Sequence, residues 1–401
     1  MSLTLLLDLD DTLLDSNMND FIPAYFQALS NFLAGQVPPE IMLPALMAGT
    51  RKMMSNTDPS RTLQQVFDAE FFPKIGQARE VLQPRIDQFY DEVFPALSHL
   101  TRPRPAAVEL VEWALAQGYH VGIATNPLFP LKAIQHRMRW AGLPPEQYPF
   151  EAVSSYETFH FTKPNPAYLA EMLAAMQWPE GAALFVGDDL ERDMSAARDL
   201  DLPFYWINLD GNSSLDATGI VGRGSINDLR PWLEARLLST LEPAFSTPGA
   251  LLALLLSTPA SLSGLAEQVR GSAMMRRPQP NEWSLGEILC HLRDTEREVY
   301  LPRLRRVLEE DEPFIPAGNT DAWAEERAYR EQDGRQALHD FTATRLQTLD
   351  LLHGVNEAQW KRKARHAVFG PTHLQELVRF MIEHDRLHIR QAHAAVLAAA
   401  C

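Results

Sequence analysis

Apolar and polar positions alternate in blocks along the first half of the chain. Leu3-Thr4-Leu5-Leu6-Leu7 is an almost unbroken apolar run that stops at Asp8-Leu9-Asp10-Asp11. Such a run reads as a strand buried on both faces, as in a parallel sheet. Residues 119–125, 150–154, 183–186 and 203–207 read the same way. Helical patterns lie between them, over 106–117, 131–141, 166–176 and 192–199. The alternation predicts an α/β region: a parallel sheet with helices on both faces.

Residues 15–100 interrupt that rhythm. They are helical in composition, rich in Met and Phe, and hold no clear buried strand. The pattern predicts a helical cap inserted after the first strand, broken into short helices at Pro39, Pro59, Pro73 and Pro84. Arg102-Pro103-Arg104-Pro105 reads as the return to the sheet. Residues 238–248, with Pro243 and Pro248, read as a linker. Beyond it the strand signal vanishes. Four helical patterns follow, at about 250–270, 285–310, 334–354 and 374–399, and predict an antiparallel four-helix bundle. Ser284 with Glu287 forms a capping box for the second, and Thr372 with Gln375 one for the fourth. The expected organisation is a core over 1–14 and 101–237, a cap over 15–100, a linker over 238–248 and an all-α bundle over 249–401.

At 401 residues the chain is too long for one ordinary core. Charge sharpens the division. Residues 1–240 hold 17 Lys and Arg against 30 Asp and Glu, whereas residues 241–401 hold 19 against 22. The net charge of −16 disfavours nucleic acid and anionic membranes as partners. Cys290 and Cys401 are the only cysteines, so a disulfide framework is not expected and a reducing cytoplasm fits. Asp8 and Asp10 interrupt the N-terminal apolar run, which argues against a secretory signal. Residues 251–256 form an apolar run too short to span a bilayer.

Four segments of the first region carry chemistry. Asp8-Leu9-Asp10-Asp11-Thr12 ends the first strand, and Thr125-Asn126 ends the second run. Lys163 precedes Pro164, and Gly187-Asp188-Asp189-Leu190-Glu191-Arg192-Asp193 follows another buried run. Taken singly, each has a bland reading: a turn former, a helix cap or a solvated lysine. Their order and shared strand-end placement argue for a site, because open α/β sheets put chemistry at those ends. Asp8 and Asp10 side by side repel and lose hydration unless a cation joins them, which suggests Mg²⁺.

These four segments resemble the motifs of the haloacid dehalogenase (HAD) superfamily, across residues 1 to about 235. The helical insertion is similar to that family's C1 cap, on a Rossmann-like core. The resemblance implies that Asp8 attacks phosphorus to form an aspartyl-phosphate, and that Asp10 is the general acid and base. It implies that Thr125, Asn126 and Lys163 bind the phosphoryl group. Asp8, Asp10 through its carbonyl, Asp188 and Asp193 would surround Mg²⁺. Dehalogenases of the superfamily lack the acid at the position of Asp10, so the resemblance points to a phosphatase of a small phosphorylated metabolite. Phosphomutases share the same motifs and stay open. Arg51, Lys52 and Arg61 in the cap read as solvated rather than substrate-binding.

In the bundle, His384 and His388 are four apart and share a helix face, and His291 lies on another helix. Three imidazoles could hold one metal with open positions. His339, His353, His366, His373 and His393 are bystanders on this reading. The segment Asn281-Glu282-Trp283-Ser284-Leu285-Gly286-Glu287-Ile288-Leu289-Cys290-His291-Leu292 resembles a metal helix of the DinB-like superfamily. Glu383-His384-Asp385-Arg386-Leu387-His388 resembles its closing helix. The resemblance covers about residues 248–400. It implies a transition metal (Zn²⁺, Ni²⁺ or Fe²⁺) at His291, His384 and His388, and it allows a homodimer through the bundle. The bundle would be a metal-dependent thiol transferase or hydrolase, or else a structural metal-binding or dimerisation module. Cys290 reads as core, Asp294 and Glu296 as a solvated face, and Trp283 and Trp323 as packing residues.

Overall fold

Residues Leu3–Leu7 form strand β1, with every residue buried, as the unbroken apolar run requires. The computed structural model describes residues 2–208, 218–320 and 322–400; Cys401 lies outside them. The sheet continues with β2 (His120–Ile123), β3 (Ala152–Val153), β4 (Ala182–Gly187), β5 (Phe204–Ile207) and β6 (Ile220–Gly224). All pair in parallel, in the order β3-β2-β1-β4-β5-β6. The order reverses at β1, so the loops after β1 and β4 diverge and leave a crevice at their C-terminal ends. Strand β6 was not expected from the sequence. Ile-Val-Gly-Arg-Gly is only partly buried and sits at the sheet edge, so it needs no apolar run.

The cap is helical: Met18–Leu33, Pro39–Met54, Leu63–Ile75 and Arg79–Glu92, then a 3₁₀ turn over Phe94–Leu100. Leu14–Asp15 and Arg102–Pro103 pair antiparallel where the chain leaves and rejoins the core. The prolines punctuate less than expected. Pro39 opens a helix, where its missing N–H costs nothing. Pro73 and Pro84 lie inside helices. Pro84 deprives the carbonyl of Glu80 of its partner, and Glu80 is exposed, so water can replace it.

The chain divides into two compact units, Met1–Met172 with Pro179–Ala244, and Leu173–Trp178 with Phe245–Cys401. Sheet and cap thus cluster together. In the second unit the long helices are Pro248–Glu267, Leu285–Thr295, Gly334–His353 and Leu374–Ala400. A π-turn over Glu296–Tyr300 continues the second into Leu301–Glu309. The first and second helices each pack closely on the third and fourth. The first helix therefore lies across the bundle from the second, and the third from the fourth.

Strands do not vanish after the linker. Phe314–Ile315 (β7), Lys363–His366 (β8) and Gly370–His373 (β9) make a small sheet, β9-β8-β7. Lys363–His366 alternates exposed and buried, a period-2 signal too short to stand out beside the helices. The Ser284–Glu287 capping box forms as expected. The Thr372–Gln375 box does not, because Thr372 belongs to β9. His373 and Glu376 cap instead: the Glu376 N–H donates to His373 Nδ1, and the His373 N–H donates to the Glu376 carboxylate. Helix Pro248–Glu267 as a whole is long and apolar enough to cross a membrane by length and composition. Twelve of its residues, from Ala250 to Ala266, are buried in the bundle unit, so the apolar face is a core face.

Candidate functional site

The loops that follow β1, β2, β3 and β4 bring the expected residues together. Asp8 directly follows β1, its N–H donating to Val186 O at 2.9 Å, and it is buried. Lys163 is buried too, with Nζ 2.6 Å from Asp8 Oδ1 and 2.7 Å from Asp193 Oδ1. Burial pulls the Lys163 ammonium down, but the two carboxylates outweigh it and hold the group above its ordinary value. Asp8, Asp188 and Asp193 each offer an oxygen within 4.8 Å of the others. Burial and mutual repulsion push Asp188 up to about 8. Burial pushes Asp193 up to about 6, against the pull of Lys163, and Asp8 is raised for the same first reason. Lys163 does not balance three carboxylates. An all-oxygen set short of positive charge fits a hard divalent cation.

Asp193 folds back under the strand end. A Cβ on Gly187 would collide with its carboxylate, so glycine is required there. Its Oδ2 also accepts the Asp189 N–H at 3.3 Å, which leaves Asp188 as the freer ligand. Asp188 Oδ1 accepts from Thr12 Oγ1 at 3.4 Å, and Trp206 Nε1 donates to the Asp188 carbonyl at 2.9 Å. Thr125 is buried, its carbonyl fixed by Ser154 Oγ at 2.7 Å and Tyr168 Oη at 2.6 Å. Asn126 Oδ1 accepts the Lys163 N–H at 3.2 Å, and its Nδ2 is buried with no protein partner. An orphaned donor there suits an incoming anionic oxygen.

Asp10 stands apart from that cluster. Ser16 Oγ donates to it at 3.3 Å, and buried Arg137 forms an ion pair with it. Burial raises the Asp10 carboxyl, and Arg137 pulls it back. Arg137 also lies over the rings of Phe21, at 4.6 Å, and Phe129, at 5.4 Å. Sequence reasoning passed over Arg137. The available signal was an arginine on the same helix face as Ala133, Ile134 and Met138. Asp8, Asp10, Thr125, Asn126, Lys163, Asp188 and Asp193 all line one cavity of about 660 Å³. Arg51, Lys52 and Arg61 are exposed.

In the second unit, His384 Nε2 lies 3.0 Å from His291 Nε2 and 3.1 Å from His388 Nε2. Three ring nitrogens converge on one point, as ligands of a single ion do. Burial lowers all three imidazoles, His291 to about 3, so they stay neutral with lone pairs available. His388 Nδ1 contacts Gln391 Oε1 at 2.8 Å, which would fix its tautomer. Trp283 packs against the cluster itself. Its ring stacks on His388 at 5.9 Å and 8° and tilts against His291 at 4.8 Å. The five other histidines stay outside the cluster. Cys290 is core, and burial pushes its thiol up to about 11.

Asp294 and Glu296 are not on a solvated face, since both are buried. Arg345, with no exposed surface, donates to Glu296 at 2.8 Å, to Asp385 at 2.6 Å and to the Leu255 carbonyl at 3.1 Å. Thr348 Oγ1 donates to Glu296 at 2.5 Å, and Thr258 Oγ1 to Asp385 at 2.8 Å. These bonds tie all four long helices at one point.

The sequence model of the haloacid dehalogenase-like hydrolases matches residues 5–207. That of the DinB superfamily matches residues 254–392. No curated protein matches the chain. Among solved structures, a HAD phosphatase from Thermococcus onnurineus is 17% identical, covering 58% of this chain and 98% of its own, with a TM-score of 0.39. A 2-haloacid dehalogenase from Pseudomonas syringae pv. Tomato DC3000 is 23% identical, covering 58% and 99%, with a TM-score of 0.42. YfiT from Bacillus subtilis, a four-helix bundle, is 19% identical, covering 38% and 83%, with a TM-score of 0.32.

Proposed function

This chain belongs to the haloacid dehalogenase-like hydrolases, and from that premise we propose that it is a Mg²⁺-dependent phosphatase of a small phosphorylated metabolite. The observation that carries this reading is Asp8, held by Lys163 beside Asp188 and Asp193 on a cavity that Asp10 also lines. An Asp8 oxygen bonds to phosphorus while the bond from phosphorus to the substrate oxygen breaks. Asp10, its carboxyl raised by burial, gives its proton to the departing oxygen. It then takes a proton from the water that attacks the aspartyl-phosphate, which frees phosphate and restores Asp8. Thr125, Asn126 Nδ2 and Lys163 hold the phosphoryl oxygens. Mg²⁺, held by Asp8, Asp188, Asp193 and the Asp10 carbonyl, would screen the repulsion between phosphate and carboxylates. The acid at position 10 favours phosphate over halide chemistry.

In the bundle, His291, His384 and His388 would hold a divalent Zn, Ni or Fe ion. Trp283 and Tyr300, whose ring lies 5.4 Å from that of His384, wall the site with apolar surface. That wall favours a second reading, a metal-dependent thiol transferase or hydrolase, over a purely structural or dimer-forming metal. The division into core, cap, linker and bundle given above belongs to this reading, and the charge step near residue 240 supports its last boundary. Scarce cysteines and net negative charge support a cytoplasmic protein that does not bind nucleic acid or membrane.

The test is phosphate release with Mg²⁺ by the full chain and its Asp8→Asn variant. Release that Asp8→Asn abolishes is the expected result, and equal release by both would refute the reading. For the bundle, thiol transfer or hydrolysis dependent on added transition metal and lost in His291→Ala is expected. Its absence leaves the metal structural.

A further inference from the structure

The cavity at Asp8 extends from the carboxylates into the helical cap, and its two ends differ in chemistry. The cap end is walled by Ile22, Leu29, Leu46, Met53, Phe67 and Phe71. Several polar groups there already have partners. The hydroxyls of Tyr25 and Tyr90 bond to each other at 2.8 Å, and Asp68 pairs with Arg79 at 2.8 Å. Lys163 and Arg192 are the cations among the lining residues, and both are engaged at the catalytic end. Lys163 binds Asp8 and Asp193, and Arg192 binds Asp189.

A substrate must place its phosphoryl group against Asp8, so its alcohol portion enters the apolar end. A second phosphate or carboxylate there would meet no free cation among the lining residues and would lose hydration against an apolar wall. Sugar hydroxyls would give up water for a wall that returns few hydrogen bonds. An apolar group would gain from leaving water, and the aromatic side chains give it faces to stack on. We infer that the substrate is the phosphate monoester of an apolar, aromatic-sized alcohol with no second anionic group. The inference rests on the phosphatase reading.

The experiment uses the full chain with Mg²⁺ and four probes: acetyl phosphate, 2-phenylethyl phosphate, glucose 6-phosphate and fructose 1,6-bisphosphate. Acetyl phosphate has almost no group to reach the cap, so it reports on the chemistry alone. The phenylethyl and glucose esters both release a primary alcohol, so their difference reports on the pocket. The expected result is a kcat/KM for 2-phenylethyl phosphate roughly a hundredfold above that for glucose 6-phosphate, with the bisphosphate lowest. Met53→Gln and Phe67→Ala should each raise KM for 2-phenylethyl phosphate about tenfold more than KM for acetyl phosphate. Turnover of acetyl phosphate with a preference for either sugar phosphate overturns the substrate class and leaves the phosphatase standing. So does an unmoved KM in both variants. Failure to hydrolyse acetyl phosphate, or hydrolysis that survives Asp8→Asn, removes the phosphatase reading and this inference with it.

Discussion

Lys163 and Arg345 are both buried, and each binds two carboxylates: Asp8 and Asp193 in one unit, Glu296 and Asp385 in the other. Around Lys163 a third carboxylate, Asp188, is left over and the group lines a cavity. Around Arg345 the carboxylates also accept from Thr348 and Thr258, and the cation is sealed from solvent. The ingredients are alike. What separates them is a third carboxylate with access from outside, which marks a chemical site, against a closed network whose two carboxylates are both hydrogen-bonded, which marks a structural one.

The largest effects should divide along that line. Lys163→Met should cut phosphate release by about 10²–10³-fold or more, since it removes charge stabilisation at the reacting group. Arg345→Met should leave release in place and destabilise the bundle by about 3–5 kcal/mol, because two buried carboxylates lose their cation. Denaturant melts and phosphate assays on both variants check this. A slow Arg345 variant of normal stability would break the distinction.

A second contrast lies in pH. Without a metal, Asp188 and Asp193 titrate near 8 and 6, above the ordinary 3.8. The folded unit then keeps protons that an unfolded chain has released, so this contribution favours folding at low pH and is lost as pH rises through 6 and 8. The histidines have the opposite sign. They stay neutral in the fold, His291 down to about 3, while an unfolded histidine takes a proton below about 6.5. Their contribution is lost as pH falls below that value. In chelator-treated protein, Asp188→Asn should flatten the alkaline fall in Tm, and His291→Gln should flatten the acid fall. Mg²⁺ should raise Tm more at pH 8 than at pH 6.

Most residues that meet at the cavity were legible because they sit at strand ends, where a few neighbouring residues define the strand and the carboxylate that follows it. Asp8 follows an apolar run, and Asp188 follows another. Arg137 and Arg345 were not, because their partners lie over a hundred and about forty residues away in the chain. Glu296 reads as solvated from helical spacing alone; only the arginine from another helix makes its burial tolerable. Strand β6 and the β7–β9 sheet escaped for a different reason. They bury only part of their surface, and their short alternations do not compete with long helical patterns.

The smallest effect concerns Arg137. It lowers the Asp10 carboxyl against the upward push of burial. Arg137→Met should therefore raise that pKa and move the alkaline limb of kcat/KM to higher pH. An unmoved limb would mean that Arg137 only packs against Phe21 and Phe129.

In the proposed reaction Asp8 carries the phosphoryl group. Asp10→Asn removes the base that activates water while leaving Asp8 free to attack an activated donor. Intact-mass analysis of this variant after brief mixing with acetyl phosphate and Mg²⁺ tests the point directly. One phosphoryl group per chain, mapped to Asp8 and absent from an Asp8→Asn/Asp10→Asn double variant, is the predicted result. Phosphate release without any such adduct, or an adduct on another residue, would contradict it.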